Sequence, residues 1–317
     1  MCITYSGAAT TASRLGQPDL AIATLNDFVQ SAQMVCSLDP TCPVIADADT
    51  GFGGPAMVAR TVTEYARSGV AGLHIEDQVQ TKRCGHLLGK QVVSREEFVM
   101  RIRAAVIARD SIPGGSDFVI IGRTDSAQVL GMEEAVTRLK LAADAGADVC
   151  FIEGVKSKEL LESTVQALAP KPVSLKAPGF PLLRSPHSIT QVLVNVISGG
   201  LTPSFTSKEA EEMGAKIISE LFFFLHSQAF LDAERTSVFS LVSCVAAVHA
   251  IRAAMHSLKK TGTDFTSARG MDPKAFFEVM GTQNISVSQK PSFNQRTGLQ
   301  QIVQLDAEAG GSAFKVV

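Results

Sequence analysis

The chain lacks an excess of either charge, lacks paired cysteines, and lacks a long uninterrupted apolar run. Twenty-nine Lys and Arg stand against 31 Asp and Glu, a formal net charge of −2. There is no basic footprint for nucleic acid or for an anionic membrane surface. The six Cys are scattered without paired spacing, which argues against a disulfide framework and reads as reduced thiols in a cytoplasmic protein. The most apolar stretch, 221–248, is interrupted by Asp232, Glu234 and Arg235, so no membrane-spanning helix is expected. The opening MCITYSGAATTASRLG has neither the charged nor the apolar region of a signal peptide. No GxGxxG follows an apolar run and no GxxxxGKS/T occurs, so the phosphate-cradling nucleotide folds are disfavoured.

What is present is 317 residues, 45% hydrophobic and 19% charged. That is enough for one large α/β barrel or two smaller domains. The stretch from Pro43 to Gly89 organises the rest. Two short apolar runs, Pro43–Ala46 and Ala71–Ile75, each end in acids: Asp47 and Asp49 after the first, Glu76 and Asp77 after the second. A polar cluster, Lys82-Arg83-Cys84-Gly85-His86, follows. Acids gathered where buried strands stop are what a parallel α/β fold offers a cation or an anionic substrate.

The unit of helix, Gly, apolar strand and acid recurs along the first half. Cys2–Tyr5 reads as a strand with Ser6, Gly7 and Ala8 at its end, and 14–20 as a loop. Thr24 or Asn26 caps a helix to about Cys36. Pro55 opens and Gly69 closes another. Ser94-Arg95-Glu96-Glu97 is a capping box. Phe118–Ile121 is a strand ending in Gly122-Arg123-Thr124-Asp125-Ser126, Met132–Ala145 a helix, and Asp148–Ile152 a strand ending in Glu153. Beyond Pro172 the rhythm degrades. Pro172–Leu175 begins a strand, and Val194–Gly200 reads as strand and turn. Thr206–Met213 and Cys244–Leu258 read as helices, and 299–309 as a short last one. Residues 221–243 follow neither period. Such βα units fit a barrel or a doubly wound sheet.

Asp47 and Asp49 would share one face of an ideal strand. Together with Glu76 and Asp19 they would repel one another unless a divalent ion intervened, and all-oxygen donors point to Mg²⁺ or Mn²⁺. The plainer alternative is that Asp47 and Asp49 cap the turn by accepting from the Gly51 or Gly53 amides. Cys84, beside Lys82, Arg83 and His86, could be a nucleophile, a metal ligand or a general acid, or merely part of a solvated basic loop. Arg123 could take a substrate carboxylate or pair locally with Asp125. Glu153 could orient substrate or Arg123, or cap a helix. His74 reads as a hydrogen-bonded core residue.

The series DADTGFG, GLHIEDQ, KRCGH, GRTDS and FIEG resembles the isocitrate lyase / phosphoenolpyruvate mutase superfamily. SGAATTASRLGQPDLAIATLNDF and QVQTKRCGHLLGKQ look most like its fungal oxaloacetate acetylhydrolase (oxaloacetase) branch. The resemblance implies a single (β/α)₈ TIM-type barrel over 1–317, incomplete at its N-terminus and irregular after residue 175. Insertions are expected near 176–193, 219–242 and 282–297. It implies a homo-oligomer, usually a tetramer, acting on a small dicarboxylate. It also implies a metal on Asp47 and Asp49, with Glu76 and Asp19 acting largely through water. Ser6, Gly7, Ala8, Gly85, Ser126 and Asn195 would bind substrate, and Lys82, Cys84 and His86 would belong to a closing flap. Ser126 favours oxaloacetate cleavage to oxalate and acetate over 2-methylisocitrate or dimethylmalate lysis. A catalytically inactive barrel is the reading from another class.

Overall fold

The computed structural model describes residues 2–85, 87–114, 117–169, 191–196, 202, 207–215, 217–220, 236–239, 252, 253 and 255–261. Residues Met1–Cys244 form one compact unit and Val245–Val317 a second. In the second unit the described residues are helical.

In the first unit eight parallel strands close in sequence order into a barrel. They are β1 (Cys2–Tyr5), β2 (Val44–Asp47), β3 (Gly72–Glu76), β4 (Val119–Thr124), β5 (Val149–Ile152), β6 (Gln191–Val196), β7 (Ile217–Glu220) and β8 (Thr236–Phe239), the last pairing back onto β1. Seven helices are described there: α1 (Gly7–Leu15), α2 (Leu25–Leu38), α3 (Pro55–Arg67), α4 (Arg95–Asp110), α5 (Met132–Asp144), α6 (Lys158–Leu168) and α7 (Ser207–Glu212).

The local chemistry explains the boundaries. Pro55 is the first residue of α3, and Gly69 turns the chain beyond its end with φ 86°. The Ser94 hydroxyl accepts from the Glu97 amide at the start of α4. At α2 the Asp27 carboxylate accepts from both the amide and the hydroxyl of Thr24.

Several sequence expectations need correction. Residues 7–15 form a helix, not a strand end and a loop. Its small residues, GAATTAS, carry almost no apolar period, but Ser6 caps it and Gly16, at φ 61°, closes it. Strand β4 runs on to Thr124, because Arg123 and Thr124 still pair with Phe151 and Ile152 of β5. Strand β6 starts at Gln191 rather than Val194. Thr236–Phe239, inside a stretch without a readable period, is a strand. The expected strand at Pro172–Leu175, the helix at 299–309 and the insertion at 282–297 lie outside the described residues.

Burial follows strand alternation. Ile45, Ile121, Val149, Phe151 and Leu193 cluster inside the barrel. The residues of opposite parity, Ala46, Leu73, Ile75 and Ile120, pack outward with Phe28, Val62, Tyr65 and Ala105 of the helices. Cys150, Ile152, Val192 and Val194 do the same against Leu139 and Leu161. Two residues along each inward strand face lie Asp47, Arg123, Glu153 and Asn195. The interior is thus apolar in its middle and charged at the carboxyl edge, where a barrel places its chemistry.

Candidate active site

At that edge β2 stops at Asp47, and Asp49 takes a left-handed backbone, φ 47°. Ideal strand alternation therefore does not reach Asp49, yet both carboxylates are buried. A non-glycine residue at positive φ is a backbone cost that usually marks a functional turn. Asp47 Oδ2 accepts from the Gly7 amide at 2.9 Å, and Oδ1 from the Asp49 amide at 2.9 Å. The Tyr65 hydroxyl donates to the Asp47 carbonyl at 2.6 Å. Gly7 has to be glycine here: a Cβ would stand 2.8 Å from Asp47 Oδ2 and 3.1 Å from the Phe28 ring. The Gly51 amide, one of those the turn-capping alternative assigned to the two acids, donates instead to the Ala48 carbonyl, and Asp47 holds the Asp49 amide.

Residues 78–92 leave β3 and return as a flap, closed at its base by a bridge between Gln78 and Val92. Lys82 Nζ lies 2.5 Å from Asp19 Oδ1 and 2.6 Å from Asp49 Oδ1. The Cys84 amide donates to the Asp19 carbonyl at 3.2 Å. Gly85 lies against Arg123 and Glu153, where a Cβ would be 2.7 Å from Arg123 Nη2, and its carbonyl accepts from Gln128 Nε2. His86 lies outside the described residues.

Arg123 is the cationic centre of the opposite side. Its Nε is 2.9 Å from Asp125 Oδ2 and 3.3 Å from Glu76 Oε2, and Nη2 is 3.6 Å from Glu153 Oε2. Its guanidinium also stacks on Phe151 at 5.1 Å. The local Arg123–Asp125 pair thus coexists with an Arg123 turned toward the barrel mouth. Asn195 Nδ2 donates to Glu153 Oε2 at 3.4 Å.

Burial of so many acids shifts their protonation. Desolvation lifts Asp49 to about 7, with Asp47 and Asp19 adding to the rise against Lys82. Asp47 falls to about 2: burial opposes ionisation, but His74, Lys82 and Arg123 outweigh it. Burial pushes Glu76 well above the ordinary carboxylate range despite Arg123.

Among the described residues no three His, Cys, Asp or Glu side chains converge as a metal cage. Asp19, Asp47, Asp49 and Glu76 are therefore not joined as one closed set. Lys82 stands between Asp19 and Asp49, and Glu76 is engaged by Gln78 Nε2 and Arg123. The residues still fit a hard cation of the Mg²⁺ kind, which takes one or two carboxylates and keeps several waters. Asp49 Oδ1 is buried without a hydrogen-bond partner, its contact with Lys82 being an ion pair rather than an aligned hydrogen bond.

The remaining expected residues fall as follows. Ser6 is buried as the α1 cap, its hydroxyl accepting from the Ala9 amide, and Ala8 is half-buried beside Gly7. Ser126 is buried, and its hydroxyl bonds that of Thr124 at 2.6 Å, which in turn donates to Asp77. His74 is buried, but neither nitrogen has a hydrogen-bond partner, the nearest acid being Asp47 Oδ1 at 3.6 Å. Burial accordingly lowers it to about 4.

Sequence reading passed over Lys90, Arg101 and Arg138. Lys90 Nζ pairs with Asp125 Oδ1 at 2.7 Å, Arg101 Nη1 ties the carbonyls of Glu76 and Gln78, and Arg138 Nη1 reaches Asp77 and the Val93 carbonyl. A lysine in GHLLGKQVV, next to an apolar run, was the available signal for the first. The arginines sit on helices with no motif.

A family model described as phosphoenolpyruvate phosphomutase matches residues 2–218, and the chain belongs to that family, within the PEP mutase/isocitrate lyase superfamily. A solved structure of oxaloacetate acetylhydrolase with the inhibitor 3,3-difluorooxalacetate is 43% identical with a TM-score of 0.74, the match covering 98% of this chain and 86% of that one. A crystal structure of 2,3-dimethylmalate lyase is 42% identical, also with a TM-score of 0.74, covering 98% and 85%. The 2,3-dimethylmalate lyase of Eubacterium barkeri is 38% identical over 212 residues, 67% of this chain and 65% of that protein. The chain spans a little under two thirds of the length of the curated relatives it matches. No helix among the described residues is long and apolar enough to cross a membrane.

Proposed function

We propose that the chain is a divalent-metal-dependent C–C hydrolase that cleaves oxaloacetate to oxalate and acetate. The observation that carries the reading is the shared barrel mouth: Asp47 and Asp49 on one side, Arg123, Glu153 and Asn195 on the other, and the Lys82–Gly85 segment across both. Such a mouth suits a small dianion with a polar carbon between its carboxylates.

Asp47 and Asp49 would hold Mg²⁺ or Mn²⁺, with Glu76 and Asp19 acting through water. When bound, the ion supplies Lewis-acid stabilisation of negative charge at the C2 oxygen. Arg123 takes one substrate carboxylate, with the Ser6–Ala8 turn and Asn195 as further polar contacts. A mouth carboxylate takes the hydroxyl proton of the C2 hydrate, and Glu153 has a buried Oε1 without a partner for that role. The C2–C3 bond then breaks, leaving oxalate and the enolate of acetate. Cys84 gives its proton to the enolate carbon, and the proton on the carboxylate restores the thiol. Lys82, Gly85 and His86 keep water from the enolate while the flap covers it.

Lysis of 2-methylisocitrate or 2,3-dimethylmalate is the second reading. The position of Ser126 favours keeping it, because a hydroxyl bonded to Thr124 is a weak discriminator of substrate. The test is product analysis with Mn²⁺ on purified chain. Oxalate from oxaloacetate, without pyruvate from the two branched acids, is expected. Pyruvate release would move the assignment to the lyases, and no product from any acid would leave an inactive barrel. A cytoplasmic homo-oligomer is part of the same proposal.

A further inference from the structure

Lys90 sits on the returning limb of the flap, next to Gln91, whose carbonyl accepts from the Val79 amide across the flap's base. Its side chain is 1% exposed, and its ammonium faces Asp125 Oδ1 at 2.7 Å. A lysine buried this fully is costly unless its charge is used. Asp125 also receives Arg123, from Nε at 2.9 Å and Nη2 at 3.2 Å. Arg123 therefore has three carboxylates within reach: those of Asp125, Glu76 and Glu153. The carboxylates around that guanidinium would repel a substrate anion unless one of their charges were answered elsewhere.

We propose that Lys90 is a positioning residue for anion binding: by pairing with Asp125 it frees charge on Arg123, so that the guanidinium edge beside Gly85 and Glu153 can take a substrate carboxylate. The proposal rests on the reading of Arg123 as the substrate's carboxylate partner. Lys90 itself touches no reacting atom and acts through Asp125.

The test uses the full chain in saturating Mg²⁺, with oxalate as the calorimetric probe and steady-state kinetics alongside. Lys90→Met is expected to raise the oxalate Kd and the substrate KM by about thirtyfold or more, the lower end of the scale for stranding a buried charge, with kcat changing less. Lys90→Arg keeps the charge and should stay near wild type. Lys90→Met/Asp125→Asn removes the stranded acid as well and should recover most of the lost binding, a coupling that a merely packed lysine would not show. Wild-type oxalate affinity in Lys90→Met overturns the proposal, as does a double variant that binds no better than the single. If Lys90→Met does not fold, the double variant decides alone: near-wild-type oxalate binding supports the proposal and a loss beyond about tenfold overturns it. Failure of the wild type to bind oxalate at all fails the functional reading instead, which keeps the two failures apart.

Discussion

The two limbs of the flap each carry a buried lysine, and the two are held differently. Lys82, on the outgoing limb, lies among acids from separate segments: Asp19 and Asp49 in contact, with Glu76 and Asp47 also holding its charge. Lys90, on the returning limb, meets Asp125, which is fixed in turn. The Asp125 amide donates to Asp77, Asp77 meets Arg138, and Arg138 meets Glu134, which binds Arg95 on α4. The returning limb is thus tied to the outer helices through ion pairs joined by one amide hydrogen bond. The outgoing limb is tied to the acids proposed to hold the cation. Under the proposed function one lysine would compete with the cation for Asp49, while the other would shape the arginine that takes the substrate carboxylate.

The largest expected effect falls between the two lysines. Cys84→Ser should lower kcat by roughly a thousandfold, within the range for losing a general acid, while oxalate still binds by calorimetry. Full activity in that variant would refute the acid role. Next is Lys82→Met. It should lose turnover but bind Mg²⁺ about tenfold more tightly, because a positive charge beside Asp49 is gone. Weaker Mg²⁺ binding would break the comparison, and Lys90→Met should leave Mg²⁺ affinity unchanged. Gly85→Ala adds a Cβ against Arg123 and Glu153. A drop of about 10–100-fold in kcat/KM with an unaltered Tm is expected from the misplaced flap, and unchanged kinetics would mean the flap does not work in this position.

How much of this was legible is clearest on β2 and β4. The apolar runs ending in Asp47, Glu76 and Glu153 gave the strand tips directly, because buried strands and their polar ends differ sharply in composition. The motif order pointed to the family. Helix α1 was hidden, since a helix of Gly, Ala, Ser and Thr has no apolar stripe to read. The Ser126 expectation came from a resemblance, and the structure bonds that hydroxyl to Thr124, which only the tertiary arrangement of β4 reveals. Lys90 and Arg138 were overlooked for a related reason. A charged residue is ordinarily solvated, and nothing in a linear pattern says which one will be buried beside a partner 35 or 61 positions away.

The smallest effect tests the outer end of the Lys90 network. Arg95, then Arg138, pull the Glu134 carboxyl down to about 2 from an ordinary 4.5. A depressed carboxylate adds stability that is complete above its unfolded value and lost as pH falls from about 4.5 toward 2. Glu134→Gln should therefore remove part of the acid-side fall in Tm, by about 1–3 °C for an exposed pair in a unit of this size. An identical acid-side Tm profile in the variant would show that this pair carries no linkage.

The proposed chemistry needs the strand-tip acids to hold a divalent ion, and Mn²⁺ titration of the wild type and of Asp49→Asn addresses that most directly. One Mn²⁺ per chain is expected in the wild type, with affinity weakened at least about a hundredfold in Asp49→Asn, as for loss of a ligand carboxylate. Equal Mn²⁺ affinity in the two proteins, or none in either, would contradict it.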